Sequence, residues 1–156
     1  VAKSIAIARR SVDFVIVDLH PSYSARNRAV HDKSERILVP VTPDLPAIRA
    51  VMKLGDVAAE LGMRDRMSLI VNRFNSGVPT EDIEKSVGLA AYAQIRSAGP
   101  VIVKAANEGR TLVEIAPKDA ITGDFEILAD RLLGLDAAHG AGGGAAGMLR
   151  CKTRSR

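Results

Sequence analysis

Hydrophobic and polar positions along this chain follow two alternating periods. Phe14 to Val17 is an unbroken apolar run rich in β-branched residues, which predicts a central strand. Arg36 to Val41, Met67 to Asn72 and Ala91 to Ile95 predict three more. Pro40 has no N–H to give to a ladder, so the second strand is expected at an edge or a bulge. Between the strands, apolar residues fall at helical spacing. A short helix is expected over residues 2–10 and a mostly polar one over Ser24 to Lys33. A longer helix starts at Pro43 or Asp44 and runs to about Leu61, with Leu45, Ile48, Met52, Gly55 and Ala59 as its inner stripe and Gly62 as its stop. Thr80 is read as an N-cap, with Glu81 and Asp82 in the first turn and Gly88 at the end. Val101 to Glu108 forms the next helix, stopped by Gly109. Thr122 caps the last one, whose stripe is Phe125, Leu128, Ala129 and Leu132. Strands alternating with helices predict βαβ units, hence an α/β fold with a mostly parallel sheet flanked by helices.

Composition narrows this picture. Apolar residues make up 47% of the 156 and charged residues 26%, which suits one globular domain. Trp is absent and aromatics are 3%, so aliphatic side chains must fill a sheet buried on both faces. Four of the 22 basic residues (Arg150, Lys152, Arg154, Arg156) lie beyond residue 149, and the rest match the 18 acidic residues in number. The folded body is therefore near neutral. With so few aromatics for stacking, no specific nucleic acid is expected. Cys151 is the single cysteine: it forms no internal disulfide and offers no metal-ligand pattern. No apolar run reaches about 18 residues, and the start has no signal-peptide layout; it reads like the middle of a domain. Residues 135–156 are Gly/Ala-rich and then basic, and are expected to be disordered, leaving residues 1–134 as the folded unit. The tail's cations would suit an anionic membrane, but Met148 and Leu149 give almost no apolar face to insert.

The candidate chemistry begins where the first apolar run ends. Asp18 closes that run and the chain turns at Pro21, as in a buried parallel strand that delivers a carboxylate to the ligand-facing rim of a sheet. The usual counterpart of such a carboxylate is a Gly-rich loop ending in Gly-Lys-Ser/Thr, which cradles phosphate. The 156 residues contain no such loop, so they present one wall of a nucleotide site without the other.

Three segments together carry a family resemblance. Phe14-Val-Ile-Val-Asp-Leu-His-Pro-Ser, Arg36-Ile-Leu-Val-Pro-Val-Thr-Pro-Asp-Leu-Pro-Ala-Ile-Arg and Ile70-Val-Asn-Arg-Phe resemble the C-terminal part of the ParA/MinD ATPases. The later Ala105-Ala-Asn-Glu-Gly-Arg-Thr-Leu looks most like the CpaE/TadZ branch, which is associated with localising and assembling pili. The resemblance covers about residues 1–134. It implies a partial P-loop NTPase of the deviant Walker A type, with ATP and Mg²⁺ as cofactors of the intact family member and neither bound tightly by this chain. Asp18 would hold Mg²⁺ through water in a switch II-like turn with His20, Pro21 and Ser22, where a hard carboxylate oxygen suits a hard ion. The plainer alternative is an Asp that only caps a turn, and a His that is a solvated loop residue. Asn72 would bond the adenine edge with its amide, and Arg73 would stack or pair nearby; a strand-end Asn is also a common turn former. Arg96 and Ser97 stand where relatives place a Pro-containing loop against the base, a departure that weakens the correspondence. Arg26, Asn27 and Arg28 form either a dimer-facing or a solvated helix surface. Thr42, Pro43 and Asp44 are read as stopping a strand and starting a helix.

The resemblance further implies a homodimer, partners among pilus or secretion-machinery proteins, and a cytoplasmic location, peripheral at the inner membrane or a cell pole. Two readings of the function stand side by side. One is a pilus-assembly or localisation ATPase-family protein of which this chain is an inactive, truncated part. The other is a non-catalytic module that keeps a dimerisation or docking surface. A Rossmann-type oxidoreductase is disfavoured because no G-x-G-x-x-G follows a strand. A chain without the preceding strands is also expected to expose an apolar sheet edge and to aggregate or need a partner.

Overall fold

The computed structural model describes residues 2–135. The expectations for residues 136–156, including Cys151 and the basic end, lie outside the described residues. The elements run α1 (Ala2–Ala8), α2 (Ala25–His31), β1 (Ile37–Val41), α3 (Leu45–Glu60), a 3₁₀ turn (Arg64–Arg66), β2 (Met67–Asn72), α4 (Thr80–Val87), β3 (Ala91–Ile95), α5 (Gly99–Glu108), α6 (Leu112–Ile115) and α7 (Ala120–Leu133). The strands form a parallel sheet in the order β1-β2-β3. β2 is central and β1 is an edge, which accommodates Pro40 as its sequence required. The α/β class with a parallel sheet flanked by helices is thus the observed architecture.

Alternation along the strands sets two cores. Val39, Val41, Leu69 and Val71 face α3 and α4, where they meet Ile48, Val51, Ile83 and Val87. On the other face Ile70, Ala93 and Ile95 meet Ile121 of α7. Leu69 pairs with Ala91 but Ile70 pairs with Ala93, so Tyr92 is an extra residue in β3. This bulge changes the phase of the strand, and Ala91 and Ala93 pack into different cores.

The first apolar run is a correction. Phe14–Val17 is not a strand: it has no regular secondary structure. Its side chains are exposed, from 37% at Val15 to 88% at Ile16. A strand exists through its ladder, and among the described residues none of these four has a backbone hydrogen-bond partner. The exposed apolar surface expected of this region is present, and Leu38 of β1 is also 39% exposed.

Two helical stripes are turned relative to expectation. α3 buries Ile48, Val51, Gly55 and Ala58, while Leu45 and Met52 are exposed. In α7 the cap is Asp119, and Thr122 is fully buried inside the helix, donating to the Ala116 carbonyl at 2.7 Å. The buried positions there are Ile121, Thr122 and Asp124; of the expected stripe, Leu128 packs against the core around Ile121 while Phe125 is exposed. Polar residues on this inward face hid it from a reading based on apolar spacing. Thr80 likewise is the first residue of α4, after an N-cap at Pro79.

Candidate functional site

Because the strands are parallel, all three carboxyl ends open on one rim, where ligands bind in α/β sheets. β2 ends at Asn72, whose register partner is Ile95 of β3. Asn72 is partly exposed, and among the described residues its side-chain amide makes no hydrogen bond. Arg73 follows in the left-handed region, φ 62°, and is the one non-glycine there among the described residues. Such a conformation costs a residue with a Cβ about 1 kcal/mol or more. It is held because the N–H groups of Arg73 and Phe74 both donate to the Ile95 carbonyl, at 2.6 and 3.2 Å.

The loops at this rim brace one another. The Val78 N–H donates to the Pro43 carbonyl at 3.0 Å, tying the loop after β2 to the loop after β1. Gly77 makes this possible: at φ 77°, a Cβ would lie 2.1 Å from the Pro43 oxygen. Asn75 Oδ1 accepts the Ser97 N–H at 2.8 Å, tying the same loop to the one after β3. Thr42 and Asp44 act as the sequence suggested. Asp44 caps α3 by accepting the Ala47 N–H at 2.9 Å, and Thr42 donates to its other oxygen. These two bonds hold the Asp44 carboxyl below its ordinary range.

Arg96 is committed elsewhere than expected. Its Nε and Nη2 donate to Asp124 Oδ2 and Oδ1 at 2.7 and 2.8 Å, and its backbone N–H donates to Asp124 Oδ2 at 2.9 Å. Asp124 is only 7% exposed. The bonds from Arg96 lower its pKa against the opposing effect of burial, and raise that of Arg96 in turn. Asn75, Gly77 and Asp124 were not singled out in the sequence. The Gly was the legible one, since Asn75-Ser-Gly77 is a turn signal after a strand.

The switch-like turn is separate from this braced rim. Asp18, His20 and Pro21 are exposed, and Asp18 makes no hydrogen bond or ion pair among the described residues. The turn is pinned from α2. Asn27 Nδ2 donates to the carbonyls of His20 and Ser22 at 2.7 and 2.9 Å and to Ser22 Oγ at 3.2 Å. Asn27 is therefore buried, whereas Arg26 and Arg28 beside it are solvated. Among the described residues no group of three His, Cys, Asp or Glu side chains could hold a metal. A single carboxylate still suits Mg²⁺ when nucleotide oxygens complete its shell. No hydrogen bond or ion pair among the described residues joins Asp18 to Asn72: Ser22 and Asn27 line a cavity with Ile37 and Met67, which open β1 and β2, whereas Asn72 closes β2.

No family model matches the chain. It is 30% identical over 130 residues to the septum site-determining protein MinD of Thermotoga maritima, covering 78% of this chain and 47% of that protein. Three solved structures share its fold. A ParA family ATPase from Chlorobium tepidum superposes with a TM-score of 0.76 at 23% identity, over 84% of this chain and 54% of the other. MinD complexed with Mg-ADP from Pyrococcus horikoshii gives 0.71 at 22%, over 84% and 54%. The MinC:MinD cell division protein complex of Aquifex aeolicus gives 0.74 at 20%, over 85% and 57%. The chain spans about half the length of these relatives. By sequence the chain is thus similar to about half of a MinD protein, and its fold is the one seen in the ParA family and MinD structures.

Proposed function

We propose that this chain supplies the base-side wall and the switch carboxylate of an ATP-binding site of the ParA/MinD type. The observation that carries the reading is the unpartnered Asn72 amide at the carboxyl rim, beside the strained Arg73 turn braced against β3. An amide presents a donor and an acceptor together, as the Watson–Crick edge of adenine requires. Strain of this kind persists where surrounding structure holds it, and it gathers at binding sites. Arg73 and Ser97 line the same wall. Asp18 would hold Mg²⁺ with a hard carboxylate oxygen, and His20 and Pro21 form the turn that Asn27 holds. Bound Mg-ATP supplies a phosphoryl group for transfer to water, with the metal neutralising charge on its oxygens.

The chain contains no Gly-Lys-Ser/Thr, so on its own it binds adenine nucleotides weakly and hydrolyses none. The unit that does this work is residues 1–134. Its partners are a second copy of the chain and pilus or secretion-machinery proteins. Among the described residues no helix is long and apolar enough to cross a membrane. The finer reading of pilus assembly or localisation, at a cell pole or peripherally on the inner membrane, rests on the Ala105–Leu112 segment. Part of that segment has an ordinary structural account: Gly109 ends α5 at φ 62°, and Thr111 with Glu114 forms the capping box of α6. A second reading, a docking module without nucleotide chemistry, is favoured by the exposed Phe14–Val17 segment.

Titration of the full chain with Mg-ADP, followed by NMR line shapes, separates the two. Millimolar binding weakened about tenfold by Asn72→Ala, with Mg²⁺ dependence lost in Asp18→Asn, supports the nucleotide site. No uptake at millimolar Mg-ADP would leave the docking module, and ATP turnover abolished by Asp18→Ala would overturn the inactivity of the chain alone.

A further inference from the structure

An amide at a purine edge does not choose its base unaided. Adenine offers a donor and an acceptor, guanine offers an acceptor and a donor, and rotating the amide by half a turn satisfies either. Discrimination must come from the neighbours of Asn72. On the β3 side a cation, Arg96, stands one residue past Ile95, the register partner of Asn72. A free guanidinium there would favour guanine, whose O6 and N7 accept a bidentate pair of N–H donors. In this structure two of the guanidinium nitrogens face Asp124 instead, and a third bond from the Arg96 backbone fixes the loop.

We propose that Asp124 is a specificity-determining positioning residue: by occupying the Arg96 guanidinium it keeps the base-side wall selective for adenine over guanine. This rests on the nucleotide-site reading above. Three features carry it. The Asp124 carboxylate is 7% exposed and projects from α7, a different element from the loop it holds. It uses both oxygens, a fork geometry that leaves Arg96 little freedom to turn toward the rim. The same loop is tied a second time, through Ser97 to Asn75, so the guanidinium is the part that one substitution can release.

The test compares ADP and GDP binding to the full chain in the presence of Mg²⁺. The wild-type chain prefers ADP. Asp124→Asn lowers that preference about tenfold, chiefly by improving GDP binding, and Asp124→Asn combined with Arg96→Ala restores it. A purely structural role for Asp124 would weaken both nucleotides alike and would not be reversed by the second substitution. If the variant does not fold, the wild-type chain still decides. The Arg96 Nε–H must exchange slowly with solvent, and exchange as fast as that of exposed arginines such as Arg73 overturns the proposal. An unchanged ADP/GDP ratio in folded Asp124→Asn overturns it too and leaves the nucleotide-site reading intact. Failure of the wild-type chain to take up either nucleotide removes both.

Discussion

Replacing Asp124 by Asn removes a charge while nearly keeping the shape, and its effect on stability must depend on pH. The carboxylate accepts three hydrogen bonds, two of them from a guanidinium. Truncating one partner of a fully buried ion pair costs about 3–5 kcal/mol. Here the Arg96 side chain is 40% exposed and can be rehydrated once released, so the loss is smaller. The backbone N–H keeps an acceptor in the Asn amide oxygen. Those corrections leave about 1–2 kcal/mol at neutral pH. The folded-state pKa of Asp124 is depressed, first through the Arg96 side-chain bonds. A depressed carboxylate contributes stability above its unfolded value, near 4, and loses it as pH falls through the folded value. The gap between the wild-type chain and Asp124→Asn is therefore full at pH 7 and closes below about pH 4. Urea unfolding followed by far-UV circular dichroism at pH 7, 5 and 3 reads this directly. A difference of this size moves the midpoint by about 0.5–1 M for a typical urea slope. A gap of equal size at pH 7 and pH 3 would refute the argument, because the effect would not belong to the charge.

Other expected outcomes follow from the same structure. Ile83→Ala, at a fully buried position between α4 and the sheet, destabilises the chain by about 2–5 kcal/mol in urea unfolding; a loss under 1 kcal/mol would mean that this core is not packed as described. Gly77→Ala cannot keep both φ 77° and the Val78–Pro43 bond, so the Val78 amide loses its protection from hydrogen exchange; unchanged protection would contradict the bracing of the rim. Ile16→Lys, at the most exposed residue of the Phe14–Val17 run, raises the soluble fraction in centrifugation and shifts size-exclusion profiles toward the monomer; no change would mean that this surface does not drive association.

The strands β1, β2 and β3 were legible because each alternates or runs apolar within one bounded segment, and β2 and β3 coincide with their predicted spans. Gly62, Gly88 and Gly109 were legible as helix stops for a backbone reason, since all three adopt positive φ. The first apolar run misled because periodicity reports what a segment could bury, while a strand also needs a neighbour to complete its ladder. The inward faces of α3 and α7 were misplaced by about one residue, and in α7 the cause is chemical: Thr122 and Asp124 are buried polar residues satisfied by Ala116 and Arg96. The site showed the same division. Asn72 and Asp18 stood out at the ends of apolar runs. The bonds that hold the loop after β3 join residues that only the tertiary fold brings together: Asn75 lies 22 residues from Ser97 and Asp124 lies 28 from Arg96.

The most direct test of the nucleotide-site assignment is an NMR map of which nuclei move when Mg-ADP is added to the isotopically labelled chain. The account predicts that the Asn72 side-chain amide and the Arg73 and Ser97 backbone amides shift most, together on the carboxyl rim. Shifts centred instead at the opposite end of the strands, around Arg36 and Tyr92, or none at millimolar nucleotide, would contradict it.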